Sequence, residues 1–223
     1  MMDPLEFWTI CNANGILLTR EQIETFERFH NELLYWNEKV NLISRKDMDN
    51  IWIRHFMHSL SIVKAHLIEP KSRCMDVGCG GGFPGIPVGI ARPDIHITLV
   101  DSIAKKMKLT AMFADHTGQR NFKAVISRME DVASQKELRG SFDHILARAV
   151  APISSLIQWT KPLLKNNGSY ILLKGGDLTA EINDAKQAFP GLTINEIPIK
   201  WIGVQSFEAE EKKLLICSFN KHS

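Results

Sequence analysis

Apolar and polar positions change rhythm along the chain near residue 70. Before it they recur at helical spacing. Ile23, Phe26, Phe29, Leu33, Leu34 and Trp36 form a stripe that predicts an amphipathic helix turned toward a core. Thr19 with Gln22 three residues on reads as a capping box at its start. A shorter helix is expected over 4–14, stopped at Gly15, where glycine suits the left-handed position after a helix. A third is expected over 50–66, with Ile51, Ile53, Phe56, Leu60 and Val63 on its apolar side.

From residue 73 short β-rich runs take over, at 73–77, 96–101, 122–126, 142–147, 169–174, 192–199 and 213–219. Helical stretches lie between most of them, at 103–116, 153–164 and 177–188. Strands alternating with helices predict an α/β fold with a parallel, doubly wound sheet. No helix separates the last two runs, so the final strand is expected to be antiparallel. The chain thus divides into a helical region, 1–68, and an α/β domain, 69–223. Ligands of such sheets bind beyond the carboxyl ends of the strands, so the residues just after each strand are where chemistry is sought.

Composition adds limits. The net charge of +2 hides a split: residues 1–66 carry seven Lys/Arg against nine Asp/Glu, or −2, and the remainder is +4. That bias is compatible with an RNA partner without requiring one. Cys11, Cys74, Cys79 and Cys217 have neither CxxC nor Cys/His ligand spacing, so no zinc site and no disulfide are expected. Cys74 and Cys217 sit in apolar runs and are expected to be buried. No apolar run is long enough for a bilayer, and the first residues are acidic and mixed rather than signal-like. A cytoplasmic protein is expected, and no strong apolar patch demands a dimer, so a monomer is expected too.

The main chemical signal follows the first strand: Asp76-Val77-Gly78-Cys79-Gly80-Gly81-Gly82-Phe83-Pro84-Gly85. Glycines there let a cofactor approach with no Cβ in the way. Two fingerprints overlap. Gly80, Gly82 and Gly85 fit the dinucleotide pattern G-x-G-x-x-G. Asp76, Gly78, Gly80 and Gly82 fit D-x-G-x-G-x-G, the form found in S-adenosylmethionine enzymes. The acid two residues before the first glycine favours the second, because a carboxylate there can hold an ammonium directly or through water. Asp101, at the end of the second strand, stands where a ribose-binding acid is expected in either case. Lys105, Lys106 and Lys108 form either a solvated face or an RNA phosphate contact.

Further along the same rim, Ser127-Arg128-Met129-Glu130 would lie beside an adenine, and Arg148 would stand where substrate and cofactor meet. Lys174-Gly175 ends the fifth strand on that rim. His55 and His58 are three apart on an expected helix, but one such pair without an acid partner falls short of a metal site.

As a set, these residues resemble the glucose-inhibited division protein B family, the 16S ribosomal RNA guanine-N7 methyltransferases. The likeness runs through Trp36-Asn37, Asn41-Leu42, Arg54-His55, Ser59-Leu60, Asp76 to Pro87, Asp101-Ser102, Lys105-Lys106, Arg128, Glu130, Phe142-Asp143, Arg148-Ala149 and Lys174-Gly175. It implies a Rossmann-like, seven-stranded class I S-adenosylmethionine-dependent methyltransferase with a small N-terminal helical extension. It implies a cofactor site that includes Gly78, Phe83, Met129, Glu130 and Arg148. It also implies methylation of one guanine, at position 527 of the small-subunit RNA. Three positions depart from the usual pattern: His58 stands in place of an acid, Ser127 in place of glycine and Ala147 in place of serine. The last puts a hydroxyl contact in doubt.

Guanine N7 carries an exposed lone pair, so such a reaction needs no base to make the nucleophile, only positioning and electrostatics. The chain fits that economy. It has no Asn-Pro-Pro-Tyr run after the fourth strand for exocyclic amine methylation, and no Pro-Cys nucleophile there. Glu130 is the carboxylate expected to balance the cationic product. From the residues alone, a nicotinamide-dependent oxidoreductase, a non-catalytic RNA-binding factor and a methyltransferase with another acceptor stay open.

Overall fold

A computed structural model describes residues 2–219; Met1 and residues 220–223, at the two ends of the expected parts, lie outside the described residues. The helical region begins with α1, Pro4–Ala13, whose first turn is closed by Asp3 accepting from the Glu6 N–H at 2.8 Å. Gly15 follows it at φ +79°, the left-handed stop expected there. α2, Arg20–Asn37, opens with the full capping box: Thr19 Oγ1 accepts from Gln22 N–H and Gln22 Oε1 from Thr19 N–H. Ile23, Phe26, Phe29 and Leu33 are buried, as the stripe predicted.

The single helix expected over 50–66 is instead two segments in series, preceded by a 3₁₀ stretch. A 3₁₀ stretch covers Arg45–Asn50, a π-helical stretch Trp52–Met57, and α3 runs over His58–Lys64. The wider turn of the π stretch carries Trp52, His55, Phe56 and Met57 all into the interior, which no 3.6-residue period describes.

The rest is the sheet and its helices: β1 Arg73–Val77, α4 Gly85–Ala91, β2 His96–Asp101, α5 Ala104–His116, β3 Phe122–Ile126, α6 Met129–Ser134 and β4 Phe142–Arg148. Then follow α7 Ile153–Thr160, β5 Leu164–Lys174, α8 Thr179–Ala188, β6 Leu192–Pro198, the one-turn α9 Ser206–Ala209 and β7 Lys213–Phe219. The seven strands form one sheet in the order β3-β2-β1-β4-β5-β7-β6. Neighbours are parallel except at β7, which pairs antiparallel with β5 and with β6, as the missing helix implied. A dinucleotide-binding sheet has six parallel strands in the order 3-2-1-4-5-6. The inserted antiparallel strand therefore separates this fold from the oxidoreductase alternative.

Alternate residues of each central strand feed two cores. Cys74, Leu99, Leu146, Ile171 and Leu214 pack under α1 to α5, while Met75, Val100, Ile145, Tyr170 and Leu215 pack under α6 to α8. The first core runs without a break from Phe7 and Phe26 of the helical region to the sheet. The division drawn at residue 68 follows the order of elements, but the two parts share one interior. All four cysteines are free and buried. Among the described residues no helix is long and apolar enough to cross a membrane.

Candidate active site

Strand order reverses between β1 and β4, and two cavities open there beyond the strand ends. The first, about 450 Å³, is lined by Gly78, Asp101, Ser102, Ser127, Met129, Glu130 and Val150 among others. The second, about 490 Å³, is lined by Asp47, Arg54, His55, His58, Arg148, Lys174, Glu181, Phe207, Glu210 and Lys212 among others. Ala149 lines both. Its φ of +52° is a left-handed conformation that costs a residue with a Cβ about 1–2 kcal/mol, so the partition between the cavities is held under strain.

The glycine loop serves the first cavity directly and indirectly. Gly78 stands on the wall at φ +64°, and a Cβ there would lie 2.7 Å from Val150 Cγ2. Gly80, Gly82 and Phe83 do not line the cavity; they build the loop behind it. Gly80 N–H donates to Asp101 Oδ2 at 2.9 Å, and the Gly80 carbonyl accepts from Thr110 Oγ1. Gly82 N–H and Phe83 N–H both donate to the Cys79 carbonyl. Phe83 is buried, stacked on Phe29 at 5.4 Å, and carries the Arg148 guanidinium over its ring at 4.8 Å.

Asp76 is fully buried and lines neither cavity. Its Oδ2 accepts from Gly85 N–H at 2.6 Å and its Oδ1 has no partner among the described residues. Burial raises its pKa to about 8, against the lowering influence of the Gly85 hydrogen bond and of Arg148. Its visible role in the chain is to tie the start of α4 to the end of β1. Asp101 does reach the first cavity, with Oδ1 accepting from Ile103 N–H at 2.8 Å. The carboxylate is thereby fixed by two backbone donors, and each oxygen keeps a lone pair for a hydroxyl. Met129 and Glu130, at the start of α6, border the same space, Met129 buried and Glu130 exposed.

Arg148 ends β4 and enters the second cavity, half-buried. Nη1 donates to the Arg54 carbonyl at 3.2 Å, and the rest of the guanidinium faces Phe83 and the cavity. Desolvation lowers its pKa to about 10, opposed by Asp76 and Asp47, and it stays a cation at neutral pH. Arg54 is held twice, by Glu210 at 2.8 Å and by Asp47 at 3.5 Å. Lys174 Nζ donates to Glu181 Oε1 at 2.7 Å and to the Ala151 carbonyl at 3.0 Å. His55 Nε2 meets Asp47 Oδ2 at 3.2 Å, and His58 stacks on Phe207. Burial and nearby cations lower the two histidines to about 2 and about 3, so both are neutral at physiological pH.

The three departures from the family pattern now have places. Ala147 is buried in the core beneath α6 to α8, so a hydroxyl there would reach neither cavity. Ser127 lines the first cavity and donates to the Arg128 carbonyl. His58 faces the second. Sequence reasoning missed Asp47, Glu181, Glu210 and Lys212 altogether; they come from three separate segments and share no local motif. Glu130, expected to balance the product's charge, borders the first cavity, while the carboxylates of the second are Asp47, Glu181 and Glu210.

The family model described as "rRNA small subunit methyltransferase G" matches residues 22–205, which take in the whole lining of the first cavity and most of that of the second. The chain belongs to this family. A ribosomal RNA small subunit methyltransferase G from Christiangramia forsetii is 41% identical over 177 residues, covering 77% of this chain and 81% of the relative. The protein of that name from Clostridium botulinum strain Alaska E43 is 37% identical over 202 residues, covering 91% and 84%. Solved structures share the fold at low identity. A putative O-methyltransferase from Klebsiella pneumoniae matches with TM-score 0.59 at 12% identity, over 86% of this chain and 90% of that one. Fibrillarin from Aeropyrum pernix, solved with S-adenosyl-L-methionine, matches with TM-score 0.53 at 14% identity, over 70% and 72%.

The family is one of S-adenosylmethionine-dependent methyltransferases, and the residues of the first cavity fit that cofactor. Gly78 leaves room for its approach, Asp101 offers a fixed acceptor to ribose hydroxyls, and Met129 offers apolar surface to a ring.

Proposed function

We propose that this chain methylates N7 of a single guanine, at position 527 of small-subunit 16S ribosomal RNA, using S-adenosylmethionine held in the first cavity. The observation that carries the reading is the pair of cavities joined at Ala149, one suited to the cofactor and the other bearing Arg148, a cation with no carboxylate partner among the described residues. Asp76, Gly78, Gly80, Gly82, Phe83, Asp101, Met129, Glu130 and Arg148 make up the cofactor-binding set. Of these, Gly78, Asp101, Met129 and Glu130 line the first cavity, Arg148 lines the second, and Asp76, Gly80, Gly82 and Phe83 shape the supporting loop.

The bound cofactor supplies an electrophilic methyl on a sulfonium. The chain's task is to bring a nucleophile in line with it. N7 holds a free lone pair, so no proton has to move before attack, and neither neutral histidine is required as a base. Arg148 is the catalytic residue of this proposal: it donates to guanine O6 and fixes the base while leaving the N7 lone pair free. The active unit in this proposal is a monomer, and a ribosomal RNA substrate supports a cytoplasmic site of action.

The test has two parts. Calorimetric titration with S-adenosylmethionine, and with a nicotinamide dinucleotide as control, should give saturable binding of the first alone. Incubation with unmethylated small-subunit RNA or subunits should then yield one N7-methylguanine, mapped by mass spectrometry. Methylation at another atom or another residue, or none at all, would overturn the assignment.

A further inference from the structure

We infer that Glu181 is the residue that recognises the purine as guanine, by accepting hydrogen bonds from its N1–H and its 2-amino group. The inference rests on the proposed guanine-N7 reaction.

Three carboxylates face this cavity. Asp47 gives one oxygen to His55 and the other to Arg54. Glu210 gives one to Arg54 and the other to Lys212. Glu181 differs. Its Oε1 accepts from both Lys174 Nζ at 2.7 Å and Ile153 N–H at 2.8 Å, while Oε2 has no partner among the described residues. The Glu181 side chain lines the cavity and is 24% exposed. Two bonds to one oxygen lock the side chain and leave the other as a fixed, unengaged acceptor. The cavity's engaged cations are Arg54, Lys174 and Lys212, each bonded to a carboxylate, whereas Arg148 donates only to a carbonyl.

The cavity therefore presents one open donor, Arg148, and one open acceptor, Glu181. Guanine has the matching polarity. O6 and N7 accept on one edge, while N1–H and the 2-amino group donate on the other. A base with N7 toward the cofactor and O6 on Arg148 turns its donor edge into the second cavity. Adenine reverses that edge: its N1 is an acceptor and would face a carboxylate. Leaving such a charged acceptor unmatched is the costlier error, so the same residue that receives guanine rejects adenine.

The experiment uses small-subunit RNA assembled with either guanosine or inosine at the target position; inosine lacks only the 2-amino group. One hydrogen bond to a charged group is worth about a ten-fold preference or more, and the native protein is expected to favour guanosine in kcat/KM by that factor. Glu181→Gln replaces the acceptor with an amide and should bring the ratio close to one. Glu181→Asp, which keeps the charge but withdraws it by one methylene, should lower the ratio as well and serves if the glutamine variant does not fold. Retained S-adenosylmethionine affinity certifies the variants as folded. If the native protein methylates inosine and guanosine equally, or if the variants keep the native ratio, the inference is wrong. Absence of N7 methylation on the guanosine RNA by the native protein would instead remove the proposed reaction itself.

Discussion

Gly78 is the position where the cofactor reading can be tested most sharply, by adding one methyl group. In Gly78→Ala the new Cβ would lie 2.7 and 2.8 Å from the two methyls of Val150, in a backbone at φ +64°. The left-handed conformation costs about 1–2 kcal/mol for any residue with a Cβ. Overlap with Val150 adds roughly 1–3 kcal/mol if nothing moves. Val150 is 37% exposed, so it can give way, and the space it gives way into is the first cavity, which it lines. The stability cost should thus fall toward the low end while cofactor affinity bears the rest. Gly140 supplies the control: its φ is +56° and an added Cβ meets nothing within 4 Å, so Gly140→Ala incurs only the backbone cost. Val150→Ala supplies the rescue by deleting both methyls that clash. Urea denaturation and calorimetric titration of S-adenosylmethionine on the two single variants and on Gly78→Ala/Val150→Ala complete the cycle. Affinity should fall at least ten-fold in Gly78→Ala and recover in the double variant. If Gly78→Ala binds the cofactor as tightly as Gly140→Ala does, or Val150→Ala restores nothing, then Gly78 does not border the cofactor.

Other consequences can be checked on the same protein. Arg148→Ala should lower kcat/KM for methylation about 100-fold or more while the denaturation midpoint moves little, because among the described residues the side chain's only hydrogen bond is to the Arg54 carbonyl; near-native turnover would remove it from the site. His55 and His58 are held neutral well below the ordinary histidine value of 6.5, at about 2 and about 3. The unfolded chain takes up those protons first, so their contribution is fully present above pH 6.5 and is lost as pH falls toward 3, at up to about 1.4 kcal/mol per pH unit per proton. Denaturation between pH 7 and pH 4.5 should show His58→Gln with a shallower acid slope than the native chain, and equal slopes would mean that His58 is already charged. Asn37 Oδ1 accepts from the Leu42 and Ile43 N–H groups at 2.8 and 2.9 Å in a buried setting. Asn37→Ala should cost about 2–4 kcal/mol in urea denaturation, the sum of two stranded donors, and a loss under 1 kcal/mol would mean water replaces it.

Much of the fold could be read from residue types because local and global preferences agree over most of the sheet. All seven strands fall where β-rich runs were expected, and the last is antiparallel. The failures have local causes. β5 begins at Leu164, five residues before the expected start: Leu164 pairs with Phe142 of β4, the register then shifts across the turn-like Asn166-Asn167-Gly168, and regular pairing resumes at Ser169. α4 is seven residues with two glycines and a proline, a poor helix former held by burial on both sides. The π-helical stretch at Trp52–Met57 obeys no simple period. At the site, the glycine motif pointed to the right region but overstated direct contact. The spacing that flags Asp76, Gly80 and Gly82 reflects hydrogen bonds and close packing inside the loop as much as room for a ligand. The second cavity was only half legible. Arg148 and Lys174 stand at strand ends, where position alone gives them away; Asp47, Glu181 and Glu210 reach the cavity from segments far apart in sequence.

The segment that Asn37 holds has a thermodynamic meaning beyond its own stability. The Leu42 side chain is 3.2 Å from where a Cβ on Gly81 would stand, and its carbonyl lies 3.9 Å from the same point on Gly80, so residues 41–45 rest on the outside of the glycine loop. Arg45 and Lys106 flank the shallow depression there, two cations on a surface beside the cofactor's cradle. The surface and the loop are thus in direct contact through Leu42. By reciprocity, a ligand that pressed on this surface and ordered the loop would change cofactor affinity by the same factor by which the cofactor changed its own.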